Sequence, residues 1–163
     1  MLEKLIAAMM AFYSGDPDRI QHFIKVHSFA KLIGQCEKIE EETLQILEIA
    51  AIVHDIGIKP AIEKYGSSNG KYQEIEGPPI AEAMLRNLEY SQHIIERVCY
   101  LVGHHHTYTD IDGADYQILV EADFLVNMFE NEMSVNSIRT ALNKIFRTQT
   151  GRDYCKVMFH IEE

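Results

Sequence analysis

Cysteine is scarce in this sequence, and no two cysteines stand at a spacing typical of a metal site or a redox motif. Only 3 of the 163 residues are cysteine, an odd number, and they are widely separated: Cys36, Cys99 and Cys155. A disulfide framework is therefore a poor explanation, and buried free thiols are the better one. Free thiols suit a reducing compartment, so we expect a cytoplasmic protein.

Long apolar runs and an excess of positive charge are also absent. Nowhere do 18 apolar residues follow one another, and the first residues show no basic segment leading into an apolar core. The sequence therefore predicts neither a membrane-spanning helix nor an export signal. The formal net charge of −10 at pH 7 argues against general affinity for nucleic-acid polymers or anionic membranes. The expected partner is a small molecule.

Polar and apolar residues nowhere alternate over a sustained stretch, as they do in a half-buried strand. Apolar residues recur at helical spacing instead, which predicts an all-α fold, a compact bundle of helices. No internal repeat or linker divides the chain, so we expect one domain over residues 1–163. Residues 66–70 have the composition of a loop. Pro78 and Pro79 can start a helix but not continue one, so a short helix is expected from Ile80 to Leu88.

The most apolar segment of the chain ends in a histidine and an aspartate. Residues 44–53 are apolar nearly all round a helix, which is typical of a buried segment, and His54 and Asp55 follow directly. A buried carboxylate without a partner is costly. The two side chains are therefore either a structural ion pair or ligands of a metal, for which imidazole and carboxylate are standard donors. Gly57 fits the end of this helix and would place the pair beside a cleft.

A helix that begins at Asp16-Pro17 offers two more histidines. Aspartate is a preferred N-cap, and proline is a preferred first helical residue. His22 and His27 lie about 140° apart around this helix, so they cannot share one face. Each has apolar neighbours at helical spacing, and periodicity alone does not choose between them. Either can also be a core histidine that is bonded to a backbone carbonyl.

Two later segments complete the set of candidate ligands. Three consecutive histidines, 104–106, follow a helix capped by Ser91, and His105 extends the apolar row of that helix into the core. A solvated helix end is the alternative explanation for them. Asp123 lies on the apolar face of a helix spanning about residues 116–130. Four helices that each direct a metal-type donor inwards predict one shared metal site.

Three short motifs are similar to those of a known family. They are Arg-Ile-Gln-His ending at His22, His-Asp-Ile-Gly beginning at His54, and Ala-Asp-Phe-Leu around Asp123. Their order and separation resemble the HD-domain superfamily of metal-dependent phosphohydrolases over roughly residues 16–130, with residues 131–163 as closing helices. The resemblance selects His22 as the first ligand and leaves His27 as the fallback.

The resemblance also implies one or two divalent transition-metal ions, of iron, manganese, cobalt, nickel or zinc. The ligands of the first ion would be His22, His54, Asp55 and Asp123. The ligands of the second would be Glu74, His104 and His105, with Asp55 bridging the two ions. Glu74 stands where many binuclear members have a histidine three residues before a glycine, and a carboxylate is a competent donor at that position.

For activity, the resemblance implies hydrolysis of a small phosphate ester, with a nucleotide as the preferred substrate class, by metal-activated water. Asp55, Glu74 and Lys59 are expected to act in catalysis, with Glu74 as the base if it is not a ligand. Lys59 lies one residue beyond the usual family lysine, because Ile58 intervenes. Arg19 is a second candidate to bind phosphate, and a position on the helix surface explains it equally well.

Two functions of other classes stay open on sequence grounds: a di-iron oxygenase of the same fold, and a non-catalytic, metal-binding regulatory module. The oligomeric state also stays open, including a homo-oligomer. His106 is expected to be dispensable, because a helix continuing through it would turn it about 100° from His105 and about 200° from His104.

Overall fold

The computed structural model describes residues 1–162, and every regular element in that range is helical, which confirms the predicted all-α fold. A 3₁₀ turn, His54–Gly57, joins the third and fourth helices. The α-helices of the described chain are α1 (Leu2–Phe12), α2 (Pro17–Cys36), α3 (Glu41–Val53), α4 (Ile58–Tyr65), α5 (Gly70–Asn87), α6 (Gln92–Val102), α7 (Ala114–Glu130), α8 (Val135–Lys144) and α9 (Gln149–Phe159).

Helices α2, α3 and α7 pack against one another at the centre of the molecule. Phe23 of α2, Leu47 of α3 and Leu119 of α7 are completely buried there, within one continuous apolar core. Helices α5 and α6 pack together beside this centre, and both contact the 3₁₀ turn. The turn thus lies where the central helices meet the α5–α6 pair.

Local sequence signals set several helix ends. Helix α2 begins as predicted, because the Asp16 side chain accepts a hydrogen bond from the backbone N–H of Arg19 and Pro17 occupies the first turn. Helix α4 ends at Gly66, whose φ of 67° is in the left-handed region that glycine adopts most readily. Asn69 then caps α5. The predicted loop is therefore present, although Gly70 already belongs to α5.

The prediction of a helix starting at Ile80 is wrong, because α5 begins at Gly70 and continues through Pro78 and Pro79. Proline has no N–H to donate, so the carbonyl groups four residues earlier lose their helical partners. Tertiary contacts hold the helix at this point. A Cβ on Gly103 would lie 3.2 Å from the Pro78 ring, and the Cys99 thiol donates to the Pro78 carbonyl at 3.5 Å. Packing against α6 therefore outweighs the local preference.

Gly57 is required by close packing and not by a left-handed turn at a helix end. Its φ is −75°, and the chain passes through it directly into α4. A Cβ on Gly57 would collide with the backbone of Gln73 and Gly77 in α5. Glycine at this position lets α5 lie against the 3₁₀ turn that carries the His-Asp pair.

The three thiols differ in exposure. All are free, but only Cys155 is buried, whereas Cys99 is half-buried and Cys36 is exposed. The prediction of buried thiols is therefore wrong for Cys36.

Over residues 1–162, no helix has both the length and the apolar character needed to cross a membrane.

Candidate metal centre

Three polar side chains from three different elements meet in the core. His22 comes from α2, His54 begins the 3₁₀ turn, and Asp123 comes from α7; all three are almost completely buried. The Nε2 atom of His22 lies 3.3 Å from Nε2 of His54 and 3.2 Å from Oδ1 of Asp123. The same Asp123 oxygen lies 3.5 Å from Nε2 of His54. One atom of each side chain therefore faces a common point.

The second nitrogen of each ring is already engaged. Nδ1 of His22 lies 2.7 Å from Oε2 of Glu130, and Nδ1 of His54 lies 2.9 Å from the carbonyl oxygen of Ala51. Because both oxygens are acceptors, each Nδ1 carries the hydrogen. In the neutral rings the two Nε2 lone pairs consequently point at each other and repel. A cation bound between them would remove this repulsion.

Asp55 lies between this group and the histidine run. Its Oδ2 is 3.3 Å from Nε2 of His22 and accepts a hydrogen bond from Nη1 of Arg19 at 2.9 Å. Its Oδ1 is 3.6 Å from Nε2 of His54 and 3.5 Å from Nε2 of His105. Arg19 therefore belongs to the centre, and its interpretation as a plain helix-surface residue is excluded.

A second group of potential donor atoms consists of Asp55, His105 and His106. Nδ1 of His105 donates to the carbonyl oxygen of Val102 at 2.8 Å, which leaves a lone pair on Nε2. Within the described chain, Nε2 of His105 and Nε2 of His106 are buried and have no hydrogen-bond partner. Buried polar atoms are rarely left unpaired, so these two nitrogens point to a missing ligand.

The residues present fit a divalent transition metal. Donor atoms that each lie about 2.0–2.2 Å from one ion are about 3–3.5 Å from each other. The Nε2 atoms of His22 and His54 lie 3.2–3.6 Å from each other and from carboxylate oxygens of Asp55 and Asp123. A mixture of imidazole nitrogen and carboxylate oxygen suits iron, manganese, cobalt, nickel or zinc.

The charges of the centre also favour a cation. Burial by itself would raise the pKa of Asp55 and Asp123, yet the neighbouring histidines hold the pKa of both carboxyls below its usual range. Burial opposes the charging of His22, but its hydrogen bond to Asp123 and the charge of Asp55 raise its pKa to about 9. Two ionised carboxylates thus face one arginine, and the remaining negative charge attracts either a proton onto His22 or a metal ion.

Comparison with known proteins agrees with this geometry. The sequence profile of the HD domain matches residues 19–141, about three-quarters of the chain. The chain belongs to the HD domain family. HD domains bind divalent metals, and the family is one of metal-dependent phosphohydrolases, so the donor set described above has the expected chemistry.

One solved structure is similar to this HD domain over nearly its whole length. It is a predicted HD superfamily hydrolase from an uncultured Thermotogales bacterium, with a TM-score of 0.69 and 23% sequence identity, and the match covers 97% of this chain and 84% of that one. At this identity the likeness shows the fold alone. No curated protein matches the sequence.

Not every residue predicted for the site lies in the two donor groups of this HD domain. His27 is outside them, since its Nε2 pairs with Oε1 of Glu48 at 2.9 Å. His104 bonds through Nδ1 to the Tyr100 carbonyl at 2.7 Å. Glu74 accepts hydrogen bonds from the backbone N–H of His106 and the hydroxyl of Thr107. Lys59 is exposed on α4. The predicted ligand roles of His104 and Glu74 stay predictions.

Two side chains that were not predicted for the site hold candidate ligands in place. Asn127 donates to Oδ1 of Asp123 at 2.7 Å, and Glu130 accepts from His22 while also pairing with Lys25 at 2.6 Å. Both follow Asp123 on α7, four and seven residues later. That spacing places them on the same helix face, so helical periodicity applied to polar residues would have found them.

The proton on His22 predicts opposite pH effects with and without metal. In the metal-free HD domain the folded state holds the His22 proton more tightly than the unfolded chain does, because the pKa of His22 is raised to about 9. The resulting stabilisation of the fold is complete below pH about 6.5, the pKa of an unfolded histidine. It is lost as the pH rises towards about 9. A metal needs the neutral ring, so metal affinity should rise by up to about tenfold per pH unit over the same range. Between pH 6.5 and pH 9 we expect the Tm of the metal-free protein to fall. Over the same range, the increase in Tm on adding metal should become larger.

Thermal unfolding at several pH values, with and without a fixed concentration of metal, measures both trends. His22→Gln is the control, because it removes this ring and should make the pH dependence smaller; the raised pKa of His54 beside Asp55 and Asp123 keeps part of it. A metal-induced Tm increase that is the same at pH 6.5 and pH 9 would contradict the assignment of His22 as a ligand.

Proposed function

We propose that this HD domain is a phosphohydrolase that acts on a small phosphate ester, with a nucleotide as the preferred substrate class. The observation that carries the proposal is the convergence of imidazole Nε2 atoms and ionised carboxylate oxygens from separate elements in one buried region. A divalent metal bound there supplies activation of a water molecule and withdrawal of charge from a phosphoryl oxygen. The protein thus needs no side-chain nucleophile of its own.

The roles of the protein's own residues follow from their positions. We propose His22, His54, Asp55 and Asp123 as ligands of the first ion. Arg19, held at Asp55, supplies a fixed positive charge at the edge of the centre, and its side chain remains about 29% exposed. A partly exposed guanidinium beside the metal can pair with a phosphate oxygen in a forked geometry.

A cavity of about 340 Å³ between the end of α1 and α4 supports a substrate larger than phosphate, although none of the proposed metal ligands lines it. Phe12, Tyr13, Ile58 and Lys59 are among the residues that line it. The Tyr13 hydroxyl donates to the backbone carbonyl of Asp55 at 2.7 Å, so the cavity wall and the metal centre are directly linked. An aromatic ring and a lysine in one cavity suit a planar group joined to a phosphate, as in a nucleotide.

Replacing Lys59 with alanine should raise KM for the substrate and lower kcat/KM about tenfold, with a smaller change in kcat. The Lys59 ammonium lies 5.4 Å from the centre of the Phe12 ring and, among residues 1–162, pairs with no carboxylate. Its charge is therefore available to a substrate anion, and a partly solvated charged contact is worth about 1–1.5 kcal/mol. Steady-state kinetics measures the effect. Lys71→Ala, an exposed lysine of α5, is the control, and an equal change in both variants would remove Lys59 from the site.

The proposed function is tested by metal analysis and a substrate screen on the same preparation. Protein purified without added metal is analysed for elements, reconstituted with each candidate metal, and assayed for phosphate release from nucleotides and other phosphate esters. Phosphate release that requires metal supports the proposal. Metal binding with oxygen consumption would favour the oxygenase, and tight metal binding with no turnover of any ester would favour the regulatory module.

Two further expectations belong to this proposal. Residues 1–163 act as one domain, supported by the single continuous core of the described chain. The compartment is the cytoplasm, supported by three free thiols. A homo-oligomer stays open.

A further inference from the structure

The closing helices carry positive charge in a chain that is acidic overall. Residues 133–152 contain four basic residues and no acidic one, although the whole chain has a formal net charge of −10. The basic residues of this stretch are Arg139, Lys144, Arg147 and Arg152. Helix α8 and the start of α9 make up most of it. An anion that approaches this region therefore meets less repulsion than the net charge of the protein implies.

A cavity of about 490 Å³ lies between these two helices. Arg139 and Asn143 of α8 line it together with Arg152 and Lys156 of α9. Within residues 1–162, no candidate ligand of the metal centre lines this cavity, and it shares no lining residue with the 340 Å³ cavity that contains Lys59. Its volume is in the range of pockets that hold small organic molecules. The cavity is therefore a site of its own.

The guanidinium group of Arg152 is held in a fixed position at this cavity. Its Nη1 atom donates to the carbonyl oxygen of Leu142 at 3.0 Å and to that of Phe146 at 3.4 Å. Carbonyl groups at the end of a helix lack helical partners, so these bonds satisfy oxygens near the end of α8. Because carbonyl oxygens are neutral, the guanidinium keeps its full charge. Its remaining nitrogens can bind a phosphate in a forked geometry.

No carboxylate neutralises the two arginines of the cavity within residues 1–162. Arg139 is exposed and takes part in no ion pair, and the side-chain bonds of Arg152 go to carbonyl groups. Asp153 follows Arg152 in the sequence but accepts from Gln149 at 2.9 Å. Acidic residues outnumber basic ones 25 to 15 in this chain, so two arginines without a carboxylate at one cavity are unusual. Both are available to an anion from outside the protein.

The cavity also has an apolar side. Leu142 and Ile161 line it, and both side chains are buried in the protein. An organic phosphate can place its phosphate at the arginines and its apolar part against these two residues, whereas inorganic phosphate uses only the arginines. Glu162 is the one carboxylate among the lining residues, and its charge opposes the binding of an anion.

We propose that the cavity between α8 and α9 binds a small organic phosphate of nucleotide size at Arg139 and Arg152. The phosphate pairs with the two guanidinium groups, and the rest of the ligand contacts Leu142 and Ile161. A concave site of this volume suits a small molecule and not the extended surface of a polymer or a membrane. The inference is independent of the proposed function, because a ligand held here is a second ligand and not the substrate.

Isothermal titration calorimetry of metal-free protein with adenosine diphosphate tests the proposal, since removing the metal prevents hydrolysis and metal-mediated binding. Binding should weaken as the salt concentration rises, and inorganic phosphate should bind at least about tenfold more weakly than the nucleotide. Arg139→Ala should weaken nucleotide binding about tenfold, the usual effect of losing one hydrogen bond to a charged group. Arg86→Ala is the control, because it removes the same charge from an exposed position on α5.

Glu162→Gln should change the affinity in the opposite direction. It removes the only carboxylate of the lining, so the nucleotide should bind about two- to threefold more tightly. Arg139 and Glu162 are both exposed, which makes these two variants suitable where Arg152, bonded to α8, is not. Circular dichroism shows that each variant is folded.

Three results would overturn the inference. Nucleotide binding that is unchanged in Arg139→Ala but lost in Lys59→Ala would place the ligand in the other cavity. Equal affinity for inorganic phosphate and for the nucleotide would show that the apolar side makes no contact. Absence of nucleotide binding to metal-free protein at millimolar concentrations would remove the site, while metal-dependent phosphate release by the loaded enzyme would still support the proposed function.

Discussion

Asp55→Ala should lose both metal ions and reduce phosphate release by about three orders of magnitude. Both carboxylate oxygens of Asp55 face imidazole nitrogens, Oδ2 towards His22 and Oδ1 towards His54 and His105. Asp55 belongs to the group with His105 and His106, and its two oxygens also lie 3.3 and 3.6 Å from the His22 and His54 nitrogens of the other group. Metal stabilisation of a phosphoryl transition state is worth several kcal/mol, and about 4 kcal/mol corresponds to about a thousandfold in rate.

Elemental analysis and phosphate release are measured on the same samples of Asp55→Ala and of Asp55→Asn, which keeps the shape of the side chain. Asp115→Asn is the matched control. Asp115 is also a buried carboxylate paired with an arginine, since its two oxygens accept from Arg97 at 2.7 and 2.8 Å. It lies in neither donor group. Asp55→Ala protein that retains full metal stoichiometry would refute the assignment of the centre.

His22→Ala should abolish activity and lose the first ion, whereas His27→Ala should retain both metal and activity. His22 contributes Nε2 to the buried group and is oriented by Glu130 through Nδ1. His27 pairs with Glu48, which keeps Lys31 as a partner at 3.0 Å when His27 is removed. We therefore expect His27→Ala to cost only about 1–2 kcal/mol of unfolding free energy, through one lost hydrogen bond and some packing.

Metal stoichiometry, phosphate release and chemical unfolding distinguish these two variants. The comparison is well matched, because both are histidine-to-alanine changes on α2 and both side chains are at least mostly buried, with 4% and 14% of the side chain exposed. Loss of metal in His27→Ala together with its retention in His22→Ala would show that the wrong face of α2 has been assigned to the centre.

Much of the architecture was predictable, because it depends on short-range patterns. The start of α2 follows from a single N-cap and a proline, and the burial of α3 follows from a run of apolar residues that leaves no polar face. His54 and Asp55 directly follow that run, so their burial was predictable as well. The inward position of Asp123 followed from the apolar row around it on α7.

The choice between His22 and His27 needed more than periodicity. Both lie on α2 among apolar residues, and the family resemblance selected His22. The structure brings His22 to His54 and Asp123 and leaves His27 with Glu48. The physical reason is the direction in which α2 faces α7, because only one side of the helix lies towards Asp123. That direction is a property of helix packing and not of the sequence of α2 alone.

By itself, the sequence determined that the chain is helical, that histidines and carboxylates would be buried, and which segments would bring them inwards. Each of these depends on periodicity and composition within a few turns. Only the tertiary structure decided that α5 passes unbroken through two prolines, that Gly57 serves close packing, and that His106 and not His104 lies beside Asp55. These features depend on contacts between elements distant in the chain, where packing energy outweighs local preference.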